Sequence, residues 1–207
     1  MAVNLRLPKA RLQGGLNTGR ELYDFCNTIA RVPERLISGS TKVPADQCHQ
    51  EQPFLTQMKL IGSYQLPWAL SVSAAYQNSY NTTSTAPNLN AGQPRMGIGA
   101  NWVATNAVIA PGLNRNLSAG PNANATINVV EPGTRWGDRL QQLDLRFDRT
   151  FKVRRASFRA MLDVYNTLNV NTTVALNNTY GTNGAAWLTP TAILPARLLK
   201  LGIQIDY

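Results

Sequence analysis

Apolar and polar residues alternate one by one through much of the chain, the period of a β-strand with two unlike faces. In LLKLGIQIDY (198–207), Leu199, Leu201, Ile203, Ile205 and Tyr207 fall on one parity and Lys200, Gly202, Gln204 and Asp206 on the other. In ALSVSAAYQ (69–77), Leu70, Val72, Ala74 and Tyr76 oppose Ser71, Ser73, Ala75 and Gln77. Upstream, PFLTQMKLIGSYQL (53–66) sets Phe54, Met58, Leu60, Tyr64 and Leu66 against Gln57, Lys59, Ser63 and Gln65. The link LPWA (66–69) predicts a hairpin turn, with Pro67 presetting φ. The arrangement returns in RLQQLDLRFDRTF (139–151), where Leu143, Leu145 and Phe147 oppose Gln142, Asp144, Arg146 and Asp148. After KVRR, ASFRAMLDVYN (156–166) sets Phe158, Ala160, Leu162 and Val164 against Arg159, Met161, Asp163 and Tyr165.

Helical periodicity is nearly absent, so the chain reads as all-β with about eight strands. Short turns join the hairpins at one end. At the other end lie long irregular stretches, roughly 17–52, 78–123 and 170–190, rich in Asn, Thr, Gly and Pro and longer than most loops of a compact domain. The 207 residues suit one all-β domain.

Two architectures accept such strands. A soluble sandwich points its apolar parity inward and coats the other with Lys and Glu. A transmembrane barrel points its apolar parity at lipid and its polar parity at an aqueous lumen, with short turns on one side and long loops on the other. Here the polar parity is mostly Gln, Ser, Asn and Gly with scattered Arg and Asp, and only 15% of residues are charged. That composition suits an antiparallel transmembrane β-barrel, with Leu199, Leu201, Ile203 and Ile205 on lipid and Tyr207 at the membrane–water boundary, where aromatic rings are favoured. Trp68, Trp102, Trp136 and Trp187 fall near strand ends or in loops, where some would join an aromatic girdle.

The net charge of +9 suggests nucleic acid or an anionic lipid surface as partner. No Lys/Arg run exceeds two residues, and the basic patches interleaved with aromatics that nucleic-acid modules use are missing, so nucleic acid is not expected. No apolar run is long enough for a transmembrane helix. Residues 1–25 carry Arg6, Lys9, Arg11 and Arg20 without an apolar segment, so an export signal is expected on residues outside this sequence.

Cys26 and Cys48, the two cysteines, lie within a long loop spanning 20–52, flank a segment rich in Pro, Ser, Gly and charge, and can close it as a disulfide in an oxidising compartment. With His49 they also imitate a metal site, but no CxxC or HxxxH spacing supports one, and no metal or cofactor is expected. No motif for nucleophilic or phosphate chemistry opens a helix, so no enzyme is expected. Asp144, Asp148 and Asp163 interleave with Arg146, Arg149 and Arg159. Asp144, Arg146, Arg159, Asp163, Lys200 and Gln204 are the lumen-facing candidates. They either pair across strands or, through Arg146, Arg159 and Lys200, make a basic lumen that draws in anions.

Several stretches together resemble the C-terminal barrel portion of TonB-dependent outer-membrane receptors, particularly the carboxypeptidase-regulatory-domain-containing type of Acidobacteria. They are RLQGGLNTGR (11–20), the paired cysteines, PFLTQMKLIGSYQLP (53–67), NWVATNAVIAPGLNRNLSAG (101–120), VVEPGTRWGDRLQQLDLRFDRTF (129–151), LDVYNTLN (162–169) and the last strand. The resemblance implies a bacterial outer-membrane location and a role in ligand uptake or binding through extracellular loops. It also implies that the terminal strand through Tyr207 is read by the barrel-assembly machinery. Family members place a signal peptide, a regulatory domain and a TonB-contacting plug before the barrel; none is in these residues, so TonB would act only through a plug supplied elsewhere. The expectation is a single barrel domain over 1–207 or the C-terminal fragment of a larger barrel. The alternative is a soluble or cell-surface β-sandwich, one that binds through its Asn-rich loops or one whose exposed strand edges join neighbouring copies.

Overall fold

The computed structural model describes residues 1–20, 22–31, 48–51, 53–80, 98–131 and 134–207. Along the chain these form β1 (Ala2–Arg6), β2 (Ala10–Gly19), β3 (Leu22–Asp24), α1 (Cys26–Arg31), β4 (His49–Glu51), β5 (Leu55–Leu66), β6 (Leu70–Ser79), β7 (Asn101–Thr105) and α2 (Asn106–Leu113). There follow β8 (Asn124–Asn128), β9 (Leu140–Val153), β10 (Ala156–Tyr165), β11 (Thr173–Leu176), β12 (Thr179–Gly181), β13 (Pro190–Ile193) and β14 (Leu198–Asp206). The chain is all-β, built around one seven-stranded antiparallel sheet of order β1-β2-β5-β6-β9-β10-β14.

The single-residue alternation becomes a sheet with two unlike faces because directly paired residues share a face. One row reads Ala10, Tyr64, Val72, Phe147, Leu162 and Leu201 across six strands. The neighbouring row of the opposite face reads Arg11, Ser63, Ser73, Arg146, Asp163 and Lys200. Leu55, Ile61, Leu140, Met161 and Leu198 are the large aliphatic exceptions on the polar parity, and Arg149 is the charged exception on the apolar one.

Burial on this sheet runs opposite to that of a water-soluble domain. Leu201 and Ile203 are 81% and 74% exposed, and Leu199, Ile205, Tyr64, Leu12 and Leu16 are exposed with them. Asp148 and Asp163, on the polar face, are only 4% and 5% exposed. The buried apolar residues among those described, Ile29, Ile98, Ala100 and Ala104, all lie off the seven-stranded sheet. No second sheet or helix layer among the described residues covers the apolar face.

The strands are also offset in one direction. The row through Ala10, at the first turn, meets β9 at Phe147, and β9 continues to Val153. At the opposite edge the row through Val164 meets β2 at Leu12, and β2 continues to Gly19. Such stagger is what tilted strands need in order to curl towards closure. Among the described residues the outer edges of β1 and β14 pair with no further strand, and the seven strands do not close on themselves. At Gly14 the backbones of β2 and β5 approach so closely that a Cβ would lie 2.3 Å from the Lys59 carbonyl oxygen, so only glycine fits.

All three short turns lie on one edge, and the long connections leave the other. Leu7 and Ala10 exchange backbone hydrogen bonds of 2.8 and 3.3 Å around Pro8-Lys9, and Arg154-Arg155 turns β9 into β10 with Arg154 at φ 54°. The turn at 66–69 differs in detail from expectation. Pro67 is its first residue rather than its second, and the central pair, Trp68 and Ala69, take φ of 63° and 55°. Left-handed values at both central positions match the strands' right-handed twist, and this geometry overrides the usual Gly or Asn preference there.

The long stretches are not structureless, contrary to expectation. Their described parts form a three-stranded sheet of order β12-β7-β8, the pair β11-β13, the pair β3-β4 and the two helices. Strands of three to five residues give too few positions per face for alternation to be visible. The remainder of the 20–52 loop, residues 21, 32–47 and 52, lies outside the described residues, as does 81–97 of the second stretch.

Candidate functional site

The polar face is held by a ladder of charge and amide contacts. Directly opposed in register, Arg146 on β9 and Asp163 on β10 form a two-pronged pair, Nε donating to Oδ1 at 2.5 Å and Nη2 to Oδ2 at 2.9 Å. Arg159 on β10 makes the reciprocal pair with Asp148 on β9, at 3.1 and 3.0 Å. The planar guanidinium matches a carboxylate with two parallel hydrogen bonds, which fixes geometry as well as charge. Both carboxylates are thereby buried with partners that satisfy them.

The ladder extends sideways. Gln77 on β6 donates to Gln142 on β9 at 2.9 Å, and Gln142 donates to both oxygens of Asp144 at 3.0 and 3.1 Å. Asp144 also accepts the Asn166 backbone N–H at 2.8 Å. Lys200 sits across β10 from Asp163, and Gln204 lies opposite Arg159 and donates to Asp206 at 3.2 Å. All six lumen-facing candidates, Asp144, Arg146, Arg159, Asp163, Lys200 and Gln204, thus share one face. The structure pairs Arg146 and Arg159 with carboxylates instead of leaving them as free cations, so a basic anion-drawing wall does not form there.

Sequence reasoning missed the hub of the site. Asn166 is buried, holds φ at 48°, and its amide donates to the carbonyls of Val170 and Pro195, both at 2.8 Å, while accepting the Val170 N–H at 3.1 Å. It ties the start of the 166–197 connection to its end. Asn tolerates left-handed backbone better than most residues, and that was the available signal in VYNTLN. Asn169, at φ 52°, adds a second tie by accepting the Arg197 N–H at 3.0 Å.

Beyond the long-loop edge, the second and third connections pack together. Trp187 donates Nε1–H to the Gly99 carbonyl at 2.9 Å and stacks, tilted, on Tyr180 at 5.7 Å. Asn106, at the start of α2, donates to Asn116 and accepts the Leu117 N–H, both at 2.9 Å. Trp102 and Trp187 therefore belong to this loop layer, whereas Trp68 is exposed at the short-turn edge.

The first connection carries a covalent clasp. Cys26 and Cys48 are bonded, with Cα atoms 4.9 Å apart, so neither thiolate is open to a metal. Beside them β3 and β4 pair through Leu22–Glu51, Tyr23–Gln50 and Asp24–His49, and Arg20 forms an ion pair with Glu51. Asp24 accepts the Cys26 N–H at 3.1 Å, and its other oxygen lies 3.2 Å from His49 Nδ1. Among the described residues, no group of three or more His, Cys, Asp or Glu side chains gathers to hold a metal.

The Cys26 N–H first, and His49 second, hold the Asp24 carboxyl below its ordinary value of 3.8. A carboxyl depressed on folding stabilises fully above its unfolded pKa and loses that contribution as pH falls through the lowered folded value. Amide exchange at Cys26, corrected for its intrinsic pH dependence, is therefore expected to quicken below about pH 4. Asp24→Asn should remove that dependence; an unchanged profile would mean that the clasp does not depend on this carboxylate.

Comparison with known proteins finds no matching family model, no matching curated protein and no matching solved structure.

Proposed function

We propose that this chain is membrane-embedded wall from an outer-membrane β-barrel receptor or transporter, with its long connections forming the ligand-facing side. The observation that carries the reading is the inverted burial of the seven-stranded sheet. Its apolar parity is exposed on β2 and β14 and part-exposed at Val72, Leu145, Phe147 and Leu162 between them, while its polar parity buries the carboxylates of Asp148 and Asp163 against arginines. In water such a sheet would leave a large apolar area unburied, at about 25 cal/mol per Å². In hydrocarbon the same face is at no disadvantage.

Dimensions support the reading. Six of the seven strands hold 9 to 14 residues, which is enough for a tilted crossing of the apolar band, and β1 holds five. The one-way stagger and the segregation of short turns from long loops fit the same wall. Unpaired backbone in lipid costs several kcal/mol per group, so the free edges of β1 and β14 require further strands or a second sheet. Assignment to the TonB-dependent class rests on the resemblance of segments such as LDVYNTLN. On that reading the strand through Ile205 and Tyr207 engages the barrel-assembly machinery, and any TonB contact is made by a plug outside these residues.

Nitroxide side chains introduced singly at 199 to 205, with Cys26–Cys48 left bonded, test the proposal in lipid vesicles. Positions 199, 201, 203 and 205 are expected to relax with membrane-soluble oxygen, and 200, 202 and 204 with a water-soluble nickel chelate. Uniform access to the chelate, or stable monodisperse protein without detergent, would remove the membrane reading in favour of a soluble sheet protein.

A further inference from the structure

We propose that the short-turn edge of the sheet is a binding surface for the anionic headgroups of membrane phospholipids. The inference rests on the membrane reading above and adds a specific lipid chemistry to one end of the wall.

Positive charge without a described ion pair gathers at this edge. Arg6 and Arg11 stand directly opposite one another at the end of the polar face, beside the first turn, whose exposed Lys9 lies off the strands. Like charges in directly opposed positions destabilise a strand pair unless a counter-ion lies between or beside them. At the third turn, Lys152, Arg154 and Arg155 cluster and are exposed. None of these six cations takes part in a described ion pair. Asp206 is the carboxylate side chain that the end of β14 brings to this edge, and it already accepts from Gln204.

The loop side also has exposed arginines outside any described ion pair, Arg31, Arg115, Arg135 and Arg197, but they are spread over separate connections, and others have partners. There Arg20 pairs with Glu51, His49 meets Asp24, and Arg139 donates to Asn78 and to the Thr56 carbonyl at 2.8 and 2.5 Å.

The apolar face supplies the second observation. Near the third turn Phe151 and Phe158 stand opposite each other, and Trp68 projects from the middle turn. Arg149, the charged exception on this face, places its guanidinium 4.8 Å over the Phe151 ring. Aromatic rings beside cations that can snorkel out of hydrocarbon suit the headgroup layer of a bilayer. Phosphate is the anion of that layer, and Arg and Lys near an anionic membrane are attracted electrostatically.

The test uses the 207-residue chain in phosphatidylcholine bilayers with and without phosphatidylglycerol. After gentle detergent extraction, the lipids retained by the protein are measured by mass spectrometry. The wild-type chain should retain phosphatidylglycerol over phosphatidylcholine by about tenfold relative to the bulk mixture. Joint substitution of Lys9→Gln, Lys152→Gln, Arg154→Gln and Arg155→Gln should abolish the preference, and Arg20→Gln with Arg139→Gln at the other edge should leave it intact. Equal retention by the quadruple variant would overturn the proposal. So would displacement of the lipid by soluble glycerol phosphate, which would indicate a phosphate site instead of a membrane surface. If the wild-type chain integrates into pure phosphatidylcholine but shows no anionic preference, this inference fails and the membrane reading stands. Failure to integrate even there removes both.

Discussion

Ile203→Lys is expected to destabilise the bilayer-folded chain by about 2–4 kcal/mol, whereas Gln204→Lys, one residue away, should change it by less than about 0.5 kcal/mol. The two positions lie near the middle of β14 and differ in the face they occupy: Ile203 continues the row through Leu70, Arg149 and Ala160, and Gln204 lies opposite Arg159. An ammonium in mid-bilayer must snorkel or drag water with it. On the polar face the same ammonium meets water and the nearby Asp206 carboxylate, which already accepts from Gln204. Urea titration of vesicle-folded protein, followed by tryptophan emission, measures both. Equal losses at the two positions would mean that the two faces of β14 meet the same solvent, and the wall reading would go.

That asymmetry was legible before any coordinates. Leu199 to Tyr207 alternate strictly, as do the segments around Leu70 and Leu143, and parity alone sorts them onto faces. Two of the hairpin turns were legible too, since 66–69 and 154–155 separate alternating runs by so few residues. Sheet order was not legible. The pairing of β6 with β9 crosses some sixty residues, and only that pairing aligns Gln77 with Gln142 and so joins the two hairpins into one polar network. Arg146 and Asp163 could be suspected of pairing because their strands are joined by a two-residue turn, which fixes the register. The partner of Arg159 was harder: Asp148 is not its direct neighbour in register but a diagonal one, reached by a long side chain.

The loop layer escaped for a different reason. Trp187 and Gly99 are held together by one indole hydrogen bond between connections far apart in sequence, and no local pattern announces it. Asn166 could have been found, because an Asn ending a strand before Thr-Leu-Asn is a common way to carry left-handed backbone, but its three-way amide contacts depend on Pro195 returning beside it. The scarcity of charge on the polar parity matches a face whose few carboxylates are buried against arginines and not spread in water.

Replacing both cysteines, Cys26→Ser with Cys48→Ser, is expected to cost the β3–β4 clasp about 3 kcal/mol, the loop-closure entropy for a cross-link of this span. The residues are 22 apart in sequence, and the ladder they secure has three residue pairs. A two-stranded ladder that short is marginal in water without a covalent restraint. The ion pair of Arg20 with Glu51 and the Asp24 contacts are exposed and cannot replace the bond. Opening should therefore be local: amides in Leu22–Asp24 and His49–Glu51 are expected to exchange about a hundredfold faster, close to the factor that 3 kcal/mol implies. The ten-pair ladder of β2 with β5, which begins just beyond the clasp, should keep its protection because its register is fixed independently by Arg11–Ser63 through Gly19–Leu55. Hydrogen exchange read by mass spectrometry on oxidised and substituted protein separates the cases. Unchanged protection in β3 and β4 would assign the clasp's stability to its packing, and loss extending into β5 would make the disulfide a support of the sheet itself.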